Sequence, residues 1–83
     1  MSFFVYLLKS ITPGNKKTYV GYTNNLTKRL FLHNNNKGAK STRGLKWRIL
    51  YKKKFVSKSK AMSYEYKLKH DRKKRLELFN KSL

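Results

Sequence analysis

Cysteine is absent from this 83-residue chain and acidic residues nearly so, with 3 Asp and Glu against 22 Lys and Arg for a net charge of +19. Without cysteine there is no disulfide framework, no thiol nucleophile and no Cys-based zinc site. Long apolar runs are missing as well. The longest, Phe3 to Leu8, has six residues, against the roughly 20 that a membrane-spanning helix needs. No basic segment precedes it in the manner of a secretory leader. The expectation is a soluble, intracellular (cytoplasmic) protein with no membrane partner. Glycine occurs four times and proline once, and the scattered Gly14, Gly21, Gly38 and Gly44 make neither a Walker nor a dinucleotide loop. Nothing is patterned as a nucleophile elbow, which sets serine hydrolase chemistry aside.

What is present is apolar and aromatic enough to fold. Hydrophobic residues make up 39% of the chain and aromatics 14%, so the positive charge lies outside a real core rather than along a disordered basic tail. The length suits one small domain, residues 1–83. Charge of this size and sign attracts phosphate backbones at long range, which makes a nucleic acid the favoured partner over an anionic membrane surface.

Phe3 to Leu8 is apolar at both parities, as in a central strand covered on both faces. Thr12-Pro13-Gly14-Asn15 supplies a turn, and Lys17 to Thr23 returns as a second strand in an antiparallel hairpin. Centring the hairpin on Thr12 and Pro13 puts Tyr6 opposite Tyr19. Thr23, Asn24 and Asn25 are candidate caps for a helix over Leu26 to His33, whose stripe is Leu26, Leu30 and His33, with Arg29 at its border. Lys37 to Lys46 reads as a surface loop that either moves freely or grips phosphate. Trp47 to Val56 reads as a third strand with Trp47, Ile49 and Tyr51 on one face. Ser57 or Ser59 caps a helix with Ala61, Tyr64 and Leu68 facing inward, and Asp71 starts a last helix using Leu76, Leu78 and Phe79. The sum is an α/β (α+β) domain with a small antiparallel sheet flanked by helices.

Glu65 is the most informative residue, because one of only three acids lies between Ala61 and Leu68 in helical projection. A carboxylate there is either satisfied by a neighbouring cation or tyrosine, or holds a divalent cation. Asp71 is about 240° further round the helix, so two metals in one carboxylate cluster are not expected. Arg29 and His33 are four residues apart and reach one target, a guanidinium suited to phosphate and an imidazole suited to proton transfer. His70, beside Asp71, reads as surface. Tyr6, Tyr19 and Tyr22 are either sheet-face aromatics or phenols that orient water.

Phe4-Val5-Tyr6, Tyr19-Val20-Gly21, Arg29, His33 and Glu65, in that order and spacing, resemble the GIY-YIG nuclease domain over nearly the whole chain. The likeness is to its short single-domain branch, related to the catalytic subunit of a structure-selective flap and junction nuclease. The resemblance implies a three-stranded antiparallel sheet and hydrolysis of a DNA phosphodiester with one Mg2+ or Mn2+ ion. It implies Glu65 as the metal ligand, Arg29 on the charged phosphate, Tyr6 and Tyr19 on the attacking water with Tyr6 as base, and a proton-transfer role for His33. Phe4 replaces the first motif glycine, valines replace both isoleucines, and Tyr22 follows Gly21 where some relatives carry lysine. Branched or flap DNA is the expected substrate, with a protein partner supplying specificity. Lys40, Arg43, Trp47 and Arg48 are the expected nucleic-acid contacts. The competing reading is a non-catalytic DNA- or RNA-binding module or partner-dependent subunit on the same fold, which needs neither Glu65 nor the tyrosine pair.

Overall fold

The computed structural model describes residues 2–81. Strand β1 (Phe3–Ser10) is central in a three-stranded antiparallel sheet, with β2 (Thr18–Thr23) on one side and β3 (Trp47–Phe55) on the other. Its continuous apolar sequence follows from this place: Val5, Tyr6, Leu7 and Leu8 are all buried, alternating between two covered faces. Helix α1 (Leu26–Asn34) lies on one face, and α2 (Lys58–His70) and α3 (Arg72–Lys81) lie on the other. This is the expected α+β architecture.

Each face has its own core. Val5, Leu7 and Val20 meet Ala61, Tyr64 and Leu68 of α2, and Leu78 of α3 joins them. Tyr6, Leu8 and Trp47 meet Leu26 and Leu30 of α1, with Tyr19 and Ile49 alongside. Burying an aliphatic side chain of this kind contributes about 1.5–3 kcal/mol, and the sheet collects that contribution twice. Caps fix where the helices begin: the Asn25 side chain accepts from Lys28 N, Ser57 from Lys60 N, and Asp71 from Lys74 N at 3.0 Å. Ser57, rather than Ser59, is therefore the cap of α2.

Two registers differ from the sequence reading. The hairpin pairs Leu8 with Tyr19 and Tyr6 with Gly21, so its centre lies one residue later than Thr12 and Pro13. The resulting two-residue offset keeps the faces, and Tyr6 and Tyr19 become diagonal neighbours with ring centroids 6.4 Å apart. In β3, Ile49 pairs with Leu8 but Tyr51 pairs with Leu7, which makes Leu50 the extra residue of a bulge. Trp47 and Ile49 consequently share the α1 face, whereas Tyr51 crosses to the α2 face and its phenol meets that of Tyr64 at 2.9 Å. Strict alternation predicts one face for all three, and the bulge breaks the alternation.

Candidate active site

The α1 face carries the chemistry. Gly21 lies across from Tyr6 in the hairpin, and a Cβ there would stand 2.5 Å from the Tyr6 hydroxyl. The missing side chain lets the Tyr6 ring lie over the strand toward the open edge of β2. The Tyr6 hydroxyl is 2.9 Å from Nε2 of His33, and the two rings meet edge-on. Tyr19 covers the same imidazole with centroids 4.9 Å apart. His33 is fully buried, and its other nitrogen, Nδ1, is 3.0 Å from Oγ1 of Thr42. Four residues before it in α1, Arg29 brings its guanidinium against the phenols of Tyr6 and Tyr19.

The electrostatics follow from burial and from that guanidinium. Burial pushes the Tyr6 phenol up to about 12, opposed by the hydrogen bond to Arg29, while Tyr19 and Glu65 add smaller upward pushes. The same burial, with Arg29 nearby, lowers His33 to about 4. Both groups are therefore neutral near pH 7, with the proton on the tyrosine. Contact with the tyrosines raises Arg29 further above its usual value. Its Nε is buried with no hydrogen-bond partner among the described residues, an unused charged donor that favours an anionic oxygen. Beside it, Thr23, Asn24, Asn25, Lys28 and Leu32 complete a recess of about 200 Å³. A larger recess of about 390 Å³ opens between the hairpin loop and α3, walled by Lys16, Lys17, Arg72 and Arg75, and includes none of these site residues.

Glu65 projects from α2, in the layer opposite α1, and is half-buried rather than sealed in the core. Among the described residues its ion pair is with Lys69, one helical turn on at 3.9 Å, a contact too long to occupy the carboxylate fully. Its charge is nevertheless felt at the Tyr6 phenol. No group of three or more His, Asp or Glu side chains gathers as a metal cage among the described residues. A single, loosely engaged carboxylate fits magnesium, which keeps several waters and takes further oxygens from substrate phosphates. Asp71 is spent on the α3 cap, and Glu77 is exposed.

The structure thus gathers Tyr6, Tyr19, Arg29 and His33, with Glu65 within electrostatic reach. It does not do the same for the expected nucleic-acid contacts. Lys40 and Arg43 are exposed in the loop before β3. Arg48 is exposed too, but its strand position faces away from the Tyr6 cluster. Trp47 corrects the sequence reading: it is 2% exposed and its indole N–H donates to the Thr42 carbonyl at 3.0 Å, so it is a core residue with no surface to offer a base.

The loop itself is a clasp, which sequence reasoning missed. Thr42 closes a 3-10 turn (Lys40–Thr42) and is fully buried. Gly38 packs so tightly on His33 that any Cβ would collide with Nδ1. The Asn34 side chain accepts from Trp47 N at 2.6 Å and donates to Trp47 O, while Asn36, at φ 60°, accepts from Gly44 N. The signal was the asparagine run, since asparagine tolerates left-handed backbone and bonds to main chain, yet composition alone makes it look like filler.

The model for the GIY-YIG catalytic domain matches residues 2–80. The chain belongs to the GIY-YIG family. Its relatives include a UPF0213 protein of Oceanobacillus iheyensis, 48% identical over 67 residues that span 80% of this chain and 74% of that one. UPF0213 protein YsiG of Lactococcus lactis is 40% identical over 84 residues, spanning 98% and 78%. The solution NMR structure of the UPF0213 protein BH0048 from Bacillus halodurans aligns with a TM-score of 0.57 at 36% identity, covering 96% of this chain and 84% of that one. GIY-YIG domains are endonuclease domains that act on DNA and generally use a divalent metal. In this member the signature tripeptides are Phe4-Val5-Tyr6 and Tyr19-Val20-Gly21, on the two neighbouring strands. The GIY-YIG fold thereby puts both signature tyrosines on one face and the small residue where Tyr6 must pass. No helix among the described residues is long and apolar enough to cross a membrane.

Proposed function

We propose that this chain, acting as a single domain, is a divalent-metal-dependent DNA endonuclease that hydrolyses phosphodiester bonds. The observation that supports it is the convergence of Tyr6, His33 and a guanidinium with an unused buried donor on one face, with the Glu65 carboxylate, only loosely paired with Lys69, acting electrostatically on Tyr6. Arg29 binds the phosphate through Nε and stabilises the charge that develops on its oxygens. Tyr6 and Tyr19 hold the attacking water, and as Tyr6 takes the water's proton its own O–H proton passes to Nε2 of His33, 2.9 Å away. Glu65 holds one magnesium or manganese ion, which supplies Lewis acidity at the phosphate and acidifies nearby hydroxyls. Lys28, Lys40 and Arg43, all exposed, track the flanking backbone and carry no base specificity. Substrate choice, with flap and branched DNA as the candidates, rests on DNA shape or on a protein partner.

The test is cleavage of labelled single-stranded, duplex, flap and branched DNA with magnesium, with manganese and with chelator, comparing the native chain and Glu65→Gln. Metal-dependent cutting that falls by about 100-fold or more in the variant, with DNA binding retained, is the expected result. Salt-sensitive binding with no cutting by either protein would make the chain a binding module.

A further inference from the structure

We propose that Thr42 is a positioning residue: by fixing the His33 tautomer it turns the Tyr6 O–H inward and leaves the phenolic lone pair facing the site. The inference rests on the nuclease reading for its catalytic meaning, and on hydrogen-bond geometry alone for its structural content. A threonine hydroxyl has one proton to give. Oγ1 of Thr42 lies 2.8 Å from the Ala39 carbonyl, which accepts only, so that proton goes to Ala39. Toward Nδ1 of His33, at 3.0 Å, the same oxygen can then only accept, and Nδ1 carries the hydrogen.

The alternative assignment sends the hydroxyl proton to Nδ1. It leaves two oxygens facing each other at 2.8 Å with no hydrogen between them, at a side chain that is itself fully buried, as is His33. Neutral imidazole protonated on Nδ1 has an unprotonated Nε2, which accepts from the Tyr6 hydroxyl 2.9 Å away. The phenol's only proton is thus committed to the interior. Its lone pairs are then what the phenol offers to Arg29, whose guanidinium acts on it, and to the water of the proposed reaction. A Tyr6 that donated outward would present a hydrogen where a water-orienting group must present a lone pair.

Nothing in α1 can make this choice, because both ring nitrogens point away from their own helix to β1 and to the loop. The loop makes it, held in place by the Trp47 indole on the Thr42 carbonyl and by Gly38 against the ring. A fully buried residue nine positions from His33 decides which way a tyrosine proton points.

Long-range 1H–15N correlation of the His33 imidazole in the full, metal-free and DNA-free chain tests the structural claim, with signals assigned against His70→Gln. The expected spectrum shows a protonated Nδ1 and an unprotonated Nε2. Thr42→Val, nearly isosteric and without the acceptor, should move the proton to Nε2, and Thr42→Ser should leave the native pattern. In the cleavage assay Thr42→Val should lower kcat about 10- to 100-fold with little change in KM, and Thr42→Ser should restore it. A native spectrum with the proton on Nε2 overturns the proposal, as does a Thr42→Val protein that keeps it on Nδ1, or one that shifts tautomer without losing kcat. If Thr42→Val does not fold, the native spectrum and that of Thr42→Ser still decide the tautomer. A native Nδ1 tautomer in a chain that cuts no DNA would sink the nuclease reading while leaving the tautomer lock intact.

Discussion

His33 should make the fold sensitive to mild acid, and the size of the effect can be worked from its surroundings. Buried as a neutral imidazole near Arg29, it titrates at about 4 in the native state against 6.5 for an ordinary histidine. The unfolded chain therefore binds more protons than the native one between those values, so stability is full above about pH 6.5 and declines as pH falls toward 4. A gap of this size corresponds to about 3 kcal/mol in all, with about 2 kcal/mol of it gone between pH 7 and pH 5. That is a large share of the few kcal/mol available to a domain of this length. Urea unfolding at pH 7, 6, 5 and 4.5 would measure it, with His33→Gln as the comparison. The variant is less stable at pH 7, but its stability should change much less over this interval. Equal slopes for the two proteins, or a native curve that is flat from pH 7 to pH 5, would refute the reasoning, since either result means that His33 can be protonated without unfolding.

Gly21→Ala places a methyl group 2.5 Å from the Tyr6 hydroxyl; it should cost about 1–3 kcal/mol in chemical unfolding and, on the proposed role of Tyr6 at the attacking water, reduce cleavage more than it reduces DNA binding. Asn34→Ala removes two hydrogen bonds to the Trp47 backbone; a loss of about 2 kcal/mol is expected in the same assay, and a loss near zero would show that the clasp does not hold β3 to α1.

Much of this molecule was legible in its sequence, and the exceptions share a physical cause. The strands of the hairpin, all three helices and the two-sided burial of β1 follow from apolar periodicity, which reports burial directly. The bulge at Leu50 does not, since a single extra residue leaves no mark on composition and Tyr51 is as comfortable on one face as on the other. Tyr6, Tyr19, Arg29 and His33 could be nominated from order and spacing, and the fold brings those four together. Thr42, Gly38 and Asn34 could not, because what they do depends on a loop folding back over His33, a tertiary event with no period of its own. Trp47 was misplaced for a related reason: an aromatic among basic residues is what a nucleic-acid contact looks like, and only the structure shows the indole turned inward to the Thr42 carbonyl.

The bulge has a consequence for how this chain can vary in length. Because the two sides of the sheet are filled by different helices, β3 must deliver Trp47 and Ile49 to one and Tyr51 and Phe55 to the other, and Leu50 absorbs the odd residue between them. The strand therefore has a phase, much as a coding sequence has a frame. A single-residue insertion or deletion within it would exchange the two inventories, turning lysines toward the apolar side and Tyr51 away from Tyr64, while a second such change nearby would restore the phase. Among relatives of differing length, variation within this strand should come in compensating pairs, and unpaired changes should collect in the loops that lead into and out of it.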